Sequence, residues 1–326
     1  MEDKSNLEYM DDQKKKLISI VCPVYNEEEA IPIFYKRIIS VTELLKTKYE
    51  YELIFTNNAS EDRTLEIIRE LNKNNPLVKV ITLSRNFGYQ ASVTAGLHHA
   101  KGEAIVIIDV DCEDPPEMIP RFIEEWEKGY DIVYGKRDKR PEPFILQLAR
   151  KIFYRLTRLI ADYDFILDMA EFSLFSSHVC NAILRNNSTY PFIRGEIGFV
   201  GFKKFGISYA RQPRMFGKSN YNFVRMTKFA IGGILSSSTF PLRLAIYLGL
   251  PLAFLNFFFI ILRSFGPIKY DMQVVYILNW IYVILILSFL SIYIARIHKD
   301  IIQRPIFIVD WDNSILNRND PRQNET

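Results

Sequence analysis

A chain of 326 residues, 48% hydrophobic and 14% aromatic, is longer than one ordinary domain and can bury a large core. Its 41 lysines and arginines stand against 38 aspartates and glutamates, and a net charge of +3 is too small to argue for nucleic acid as a partner. Three scattered cysteines (Cys22, Cys112, Cys180) argue against a disulfide framework and for a reducing compartment, and the four histidines lack zinc-ligand spacing.

Residues 1–16 are polar and charged without an apolar run, which predicts a disordered tail and no cleaved signal peptide. From Leu17 strand and helix signals alternate. Residues 17–22, 51–56, 78–83 and 104–108 read as strands, and 27–45, 63–72 and 90–100 as helices. This alternation predicts an α/β domain over 17–221, a mostly parallel sheet with helices on both faces. The loops after its first four strands then emerge at one edge. Basic residues gather at 136–158 and 203–228. Residues 143–160 carry Phe144, Leu148, Ile152, Leu156 and Leu159 at helical spacing, with Arg150, Lys151, Arg155 and Arg158 mostly on other faces. Such a helix lies in a lipid interface or packs on a core with a solvated basic face; on this segment alone the two readings weigh equally, and the long apolar runs further along the chain favour the interface. A second segment of this kind, 223–235, predicts a juxtamembrane amphipathic helix over 222–241.

Residues 242–262 and 274–294 are almost wholly apolar, interrupted by Arg243, Asn256 and Asn279. Each approaches the ~20 residues that a helix needs to cross a bilayer, which predicts a transmembrane hairpin over 242–295. The link 263–273 holds only Arg263 and Lys269, whereas the outer flanks hold Arg225, Lys228 and Arg243 on one side and Arg296, Lys299 and Arg304 on the other. Positive charge stays inside. The expectation is a multi-pass protein of the cytoplasmic (inner) membrane with the α/β domain, both termini and a tail over 296–326 in the cytoplasm.

The fourth strand ends in Asp109-Val110-Asp111, followed by Cys112-Glu113-Asp114-Pro115-Pro116-Glu117. Ligands of α/β sheets bind at the carboxyl ends of strands. Carboxylates this close repel and raise one another's pKa unless a cation joins them. Oxygen ligands of this kind suit Mg2+ or Mn2+ together with substrate phosphates. A solvated acidic loop is the better reading of a lone D-x-D. The strand before it and the polar loops beside it favour a metal–diphosphate site.

These residues resemble the polyprenyl-phosphate glycosyltransferases of the family-2, GT-A type, which include bactoprenol glucosyltransferases and dolichol-phosphate mannose synthases. The similarity runs from Leu17 to roughly Asp310. The resemblance implies that Pro23, Tyr25, Asn26 and Glu27, with Asn58, Arg85, Asn86, Asp109 and Glu171, meet the nucleotide-sugar donor. It implies that Asp109, Asp111 and Glu113 hold Mg2+ or Mn2+ and that Arg137, in Tyr134-Gly135-Lys136-Arg137, meets phosphate. Arg211, Arg214, Gly217, Lys218 and Ser219 match the loop R-x-x-R-x-x-G-x-S near the acceptor, and Arg296 and Arg304-Pro305 match the cytoplasmic end after the last helix. The implied reaction moves one sugar, with inversion, from UDP-glucose or a similar donor to undecaprenyl or dolichyl phosphate. Asp111, Arg137, Arg211, Arg214 and Lys218 form its catalytic set. The bilayer is an implied partner, and the resemblance also raises a homo-oligomer.

Three departures bear on the donor. Asn57-Asn58-Ala59-Ser60 stands where the family has Asp-Asp-Gly-Ser, Ala170-Glu171-Phe172 replaces Gly-Asp-Phe, and Glu113 replaces a Gln. Two other readings remain open at the level of sequence. A processive polysaccharide synthase normally has more spans and a Q-x-x-R-W motif, which Gln212-Pro213-Arg214-Met215-Phe216 does not satisfy. A non-catalytic, membrane-anchored nucleotide-sugar-binding protein is supported by Asn57-Asn58 and opposed by Asp109, Asp111 and Glu113.

Overall fold

The computed structural model describes residues 15–137, 155, 162, 166, 169–186, 189, 191–212, 238–265 and 273–316. The 143–160 helix (Arg155 apart), the 223–235 helix, the tail over 1–14, and Arg214, Gly217, Lys218 and Ser219 lie outside the described residues. The α/β part begins β1 (Lys16–Val24), α1 (Ala30–Leu45), β2 (Tyr49–Asn57), α2 (Thr64–Asn74), β3 (Val78–Leu83), α3 (Tyr89–His99) and β4 (Ala104–Ile107). It continues with α4 (Ile119–Glu127), β5 (Ile132–Arg137), β6 (Met169–Ser176), α5 (Ser177–Leu184), α6 (Ile193–Val200) and β7 (Lys204–Tyr209). Two long helices follow, α7 (Phe240–Phe265) and α8 (Gln273–Ile302), and then β8 (Val309–Ile315).

Side chains of a strand alternate between faces. In β1, Ile18, Ile20, Cys22 and Val24 join one buried cluster and Val21 joins another. The first cluster is closed by Ile31, Phe34 and Ile38 of α1, Ile68 of α2 and Phe122 of α4. The second is closed by Val93 and Leu97 of α3, Val179 and Ile183 of α5, and Ile197 of α6. Helices therefore cover both faces, and both faces of the central strands must be apolar. Full burial of a side chain such as Phe34 stabilises by about 1.5–3 kcal/mol.

The sheet has eight strands in the order β7-β5-β6-β4-β1-β2-β3-β8. Strands β4, β1, β2 and β3 are mutually parallel, as expected. Strand β6 runs antiparallel to β4 and β5, and β7 runs parallel to β5. Toward the amino ends of the strands, buried Glu52 pairs with Lys79 and accepts bonds from the Ser19 hydroxyl (2.5 Å) and the Lys101 N–H (2.8 Å). Gly102 N–H donates to Ser19 at 2.7 Å, and a Cβ at Gly102 would lie 2.6 Å from the Ser19 nitrogen. Only glycine allows β4 to start so close to β1.

Part of the expected tail over 296–326 is a strand, β8. Residues 309–315 pair antiparallel with β3 through Val80↔Ile315, Thr82↔Asp310 and Leu83↔Val309, with a bulge between Val80 and Thr82. Ser84 N–H extends the contact to the Ile308 carbonyl at 2.9 Å. Val309, Trp311 and Leu316 pack against Ile54, Ile81, Leu83 and Ala95. The sequence Val309-Asp310-Trp311-Asp312-Asn313-Ser314-Ile315 is too polar to announce a strand, and its place comes from the open edge of β3.

Helices α7 and α8 are long and apolar enough to cross a membrane, with mean hydropathy 2.2 and 2.3. Three sets of bonds fix their antiparallel register. Tyr293 hydroxyl donates to the Ser238 carbonyl and Tyr282 hydroxyl to the Ala245 carbonyl, each at 2.8 Å, and Asn256 and Asn279 exchange reciprocal amide bonds of 2.9 and 3.0 Å. Each polar group in an apolar medium thereby satisfies the other. If β8 completes the sheet as described, removing residues 309–326 should cost at least about 3 kcal/mol, comparable to emptying one aromatic core site. The checks are the unfolding transition in detergent and the size distribution. A monodisperse product that unfolds at the unchanged temperature would contradict the role given to β8.

Candidate active site

The chain passes from β1 outward through β2 and β3 and then returns to place β4 on the other side of β1. The strand order reverses between β1 and β4, and in α/β sheets ligands bind at the loops of such a reversal. Backbone strain gathers at that edge. Asn26, Ala59 and Cys112 adopt φ of 55°, 58° and 57°, and among the described residues the one other non-glycine with positive φ is Gln303. Each such residue costs on the order of 1–3 kcal/mol and persists only where its surroundings hold it. Asn26 ends β1 in a turn, which is why α1 begins at Ala30 rather than Glu27. The Glu27 carbonyl accepts the Ala30 and Ile31 N–H groups at 3.1 Å.

The loops after β1, β2 and β3 are stitched together. Asn26 accepts the Glu61 N–H at 2.8 Å, Ser60 hydroxyl accepts the Asn26 N–H at 3.0 Å, and Thr64 hydroxyl accepts the Glu27 N–H at 2.8 Å. Asn58 is buried, donates its amide to Asn86 at 3.0 Å and accepts the Phe87 N–H at 2.9 Å. Asn86 also accepts the Gly88 N–H at 2.9 Å. An aspartate could not supply the first of these bonds. Asn58 and Asn86, expected at the donor, thus hold two loops in register. Of the other expected donor residues, Pro23 is buried within β1, Tyr25 is 37% exposed, and Arg85 lies 3.8 Å over the Phe87 ring.

The acidic loop is held more elaborately than its sequence suggests. Half-buried Asp109 accepts the Tyr89 hydroxyl at 2.8 Å. Burial above all, then the charges of Asp111 and Asp114, pushes its carboxyl up to about 7, against the pull of that hydrogen bond. Asp111 accepts the Glu113 N–H at 3.0 Å. Cys112 between them, in the left-handed region, turns successive side chains apart.

Glu113 is directed to Arg211 in an ion pair, and its carbonyl accepts the Gln212 N–H at 2.9 Å. One member of the expected metal set, Glu113, is thus already ion-paired. Among the described residues no three His, Cys, Asp or Glu side chains gather to hold an ion by themselves. The charge that Glu113 adds relative to Gln has met a guanidinium. Asp109 and Asp111 still fit a divalent ion, because Mg2+ is commonly held by one or two carboxylates and substrate phosphates. The raised Asp109 carboxyl marks negative charge that an ion would relieve.

Arg137, expected at phosphate, is 27% exposed and pairs with Asp114 at 3.1 Å. Asp114, 1% exposed, also accepts the Tyr209 hydroxyl. The parallel register sets Arg137 beside Tyr209 across β5 and β7 and creates this triad. Glu171 is buried and pairs with Arg194 of α6 at 2.8 Å. Gln90 reaches Glu171 at 3.4 Å and accepts the Ile193 N–H at 3.1 Å. Arg37 of α1 clasps Glu117 at 2.6 and 2.8 Å and touches Gln212 at 3.3 Å. Its hydrogen bond holds the Glu117 carboxyl below the usual range. Sequence reasoning missed Arg37, Tyr89, Asp114, Arg194 and Tyr209 because their partners are set by packing and register. The run Asp114-Pro115-Pro116 offered only a turn signal.

Residues 19–188 match the model of a family described as Glycosyl transferase family 2. The chain is 38% identical over 309 residues to "Uncharacterized glycosyltransferase YkcC" of Bacillus subtilis (strain 168), covering 92% of this chain and 95% of the relative. It is 38% identical over 301 residues to "SfII prophage-derived bactoprenol glucosyl transferase" of Shigella flexneri, covering 90% and 97%. A further relative, "Prophage bactoprenol glucosyl transferase homolog" of Escherichia coli (strain K12), is 40% identical over 243 residues, covering 74% and 79%.

The bonds of Asn58 lead to an expected outcome. Asn58→Asp removes a buried donor and sets an anion against the Asn86 oxygen, so it should destabilise by about 1–3 kcal/mol. The measurement is thermal unfolding in detergent at neutral pH. An unchanged or higher transition would show that the loop bridge is dispensable.

Proposed function

Because the chain belongs to glycosyl transferase family 2, we propose that it moves a single hexosyl unit from a nucleotide-sugar to polyprenyl phosphate with inversion at the anomeric carbon. UDP-glucose or a close analogue is the donor. The observation that carries this reading is the pair Asp109 and Asp111 at the reversal of strand order, on a domain joined at both ends to a pair of membrane-length helices. The relatives named bactoprenol glucosyl transferase support a polyprenyl phosphate acceptor. The return of β8 to the sheet supports one side for the domain and both helix bases, and the basic flanks support the cytoplasmic side of the inner membrane.

The acceptor phosphate is already ionised at neutral pH, so its oxygen attacks without a strong general base. The energetic demand is the charge that develops on the departing diphosphate. A bound Mg2+ or Mn2+ would supply Lewis-acid stabilisation of that charge, and Asp111 and Asp109 are the residues that would hold it. Tyr89 fixes Asp109 by its hydroxyl. Tyr25, Asn26, Glu27 and Arg85 line the nucleotide side, and Glu171, steadied by Arg194, orients the sugar. Arg211, held by Glu113, joins Arg214 and Lys218 in gripping the acceptor phosphate, for which guanidinium geometry is suited. Arg137, fixed by Asp114 and Tyr209, adds positive charge near the leaving group.

Asp111→Ala should lower lipid-linked sugar formation by about a hundredfold or more, several kcal/mol of transition-state stabilisation, with membrane insertion unchanged. The assay incubates membranes with a panel of radiolabelled nucleotide-sugars and polyprenyl phosphate. Full turnover in EDTA would refute the metal assignment. Polymer in place of a lipid-linked monosaccharide would refute single transfer.

A further inference from the structure

Two aspartates outside the active site each clasp the base of one long helix. Asp162, in the stretch between β5 and β6, accepts the Thr239 N–H at 2.7 Å and its hydroxyl at 3.0 Å, and pairs with Arg243. These groups lie at and just before the first turn of α7, where backbone N–H groups have no helical partner. A carboxylate supplied from 77 positions away thus caps the positive end of the helix dipole. Asp300, in the last turn of α8, accepts the Thr189 N–H at 2.9 Å and its hydroxyl at 2.6 Å. Thr189 lies between α5 and α6, on the catalytic domain.

Position and exposure argue against a role in stability alone. A carboxylate at the carboxyl end of a helix opposes the helix dipole, so Asp300 is unfavourable for α8 by itself and earns its place through Thr189. Both sets of bonds are exposed, and exposed hydrogen bonds contribute only about 1 kcal/mol each. That is little for the fold and sufficient for an angle. The Tyr293–Ser238 bond joins the two helix bases, and β8 returns to the sheet after residues 303–308. The base of α7, the base of α8 and the β8 ladder are three points of attachment, and three points fix the orientation of a rigid body.

We propose that Asp162 and Asp300 are positioning residues that set the height and tilt of the catalytic domain over the bilayer, so that a phosphate carried at the membrane surface meets the site. This rests on the lipid-acceptor reading above. Misplacement by about an ångström can lower a rate a hundredfold. The lipid phosphate is confined to a plane and cannot follow a tilted domain, whereas a dissolved acceptor can.

The test uses the full chain in vesicles, with Asp162→Ala and Asp300→Ala singly and together. Two acceptors are compared, a long-chain polyprenyl phosphate in the bilayer and a short-chain, water-soluble one. The double variant should lose about tenfold or more in kcat/KM on the bilayer acceptor, with soluble-acceptor turnover and donor KM within about twofold of the parent protein. Retained soluble turnover also reports a folded catalytic domain. Equal losses on both acceptors, or no loss on either, would overturn the proposal. Absence of product from the parent protein with either acceptor would instead overturn the lipid-acceptor reading, and this inference with it.

Discussion

Asp109, Asp111 and Asp114 repel one another at the end of β4, and each is held against that repulsion by different means. Asp114 is given a guanidinium and a phenol, Asp111 an N–H of its own turn, and Asp109 the hydroxyl of Tyr89. The flanking carboxylates are matched with arginines: Glu113 with Arg211, Glu117 with Arg37, and Glu171 with Arg194. The result is a graded edge. Charge is neutralised around the rim and left costly at Asp109, whose carboxyl stands at about 7. A cation would relieve most electrostatic cost at such a point.

The opposite ends of the same strands show the reverse choice. Glu52 is buried, but Lys79, Ser19 and the Lys101 N–H satisfy it, so that end carries no demand on a ligand. A satisfied buried pair of this kind fixes the relative positions of β1, β2 and β3 more than it stabilises them. Strain follows the same division. Asn26, Ala59 and Cys112 hold uncommon backbone conformations at the acidic edge, supported by the loop bonds of Asn58, Ser60 and Thr64.

The parallel core was legible in the sequence because its strands are short apolar runs buried on both faces, and their carboxyl-end loops carry the polar residues. The two long helices were legible from length and hydropathy alone. Strands β5, β6 and β7 were not read as strands, and β8 was read as tail, since their residues are mixed and their partners lie far along the chain. Local pattern carries no information about such pairing. The same limit explains the site. Asp109 and Asp111 could be found as a motif, whereas Arg194 beside Glu171 and Tyr209 beside Asp114 depend on register and packing. The motif names Glu113 but not Arg211, which only the fold brings beside it. Asn58 stands out in the sequence as a departure that bears on the donor, and its geometry adds a bridge between loops.

The strand that closes the edge of β3 leaves the ribosome after both long helices and, among the described elements, comes last. Until it emerges, the nascent sheet waits with one row of backbone groups unpaired. Both long helices must therefore be made before the edge of β3 is paired.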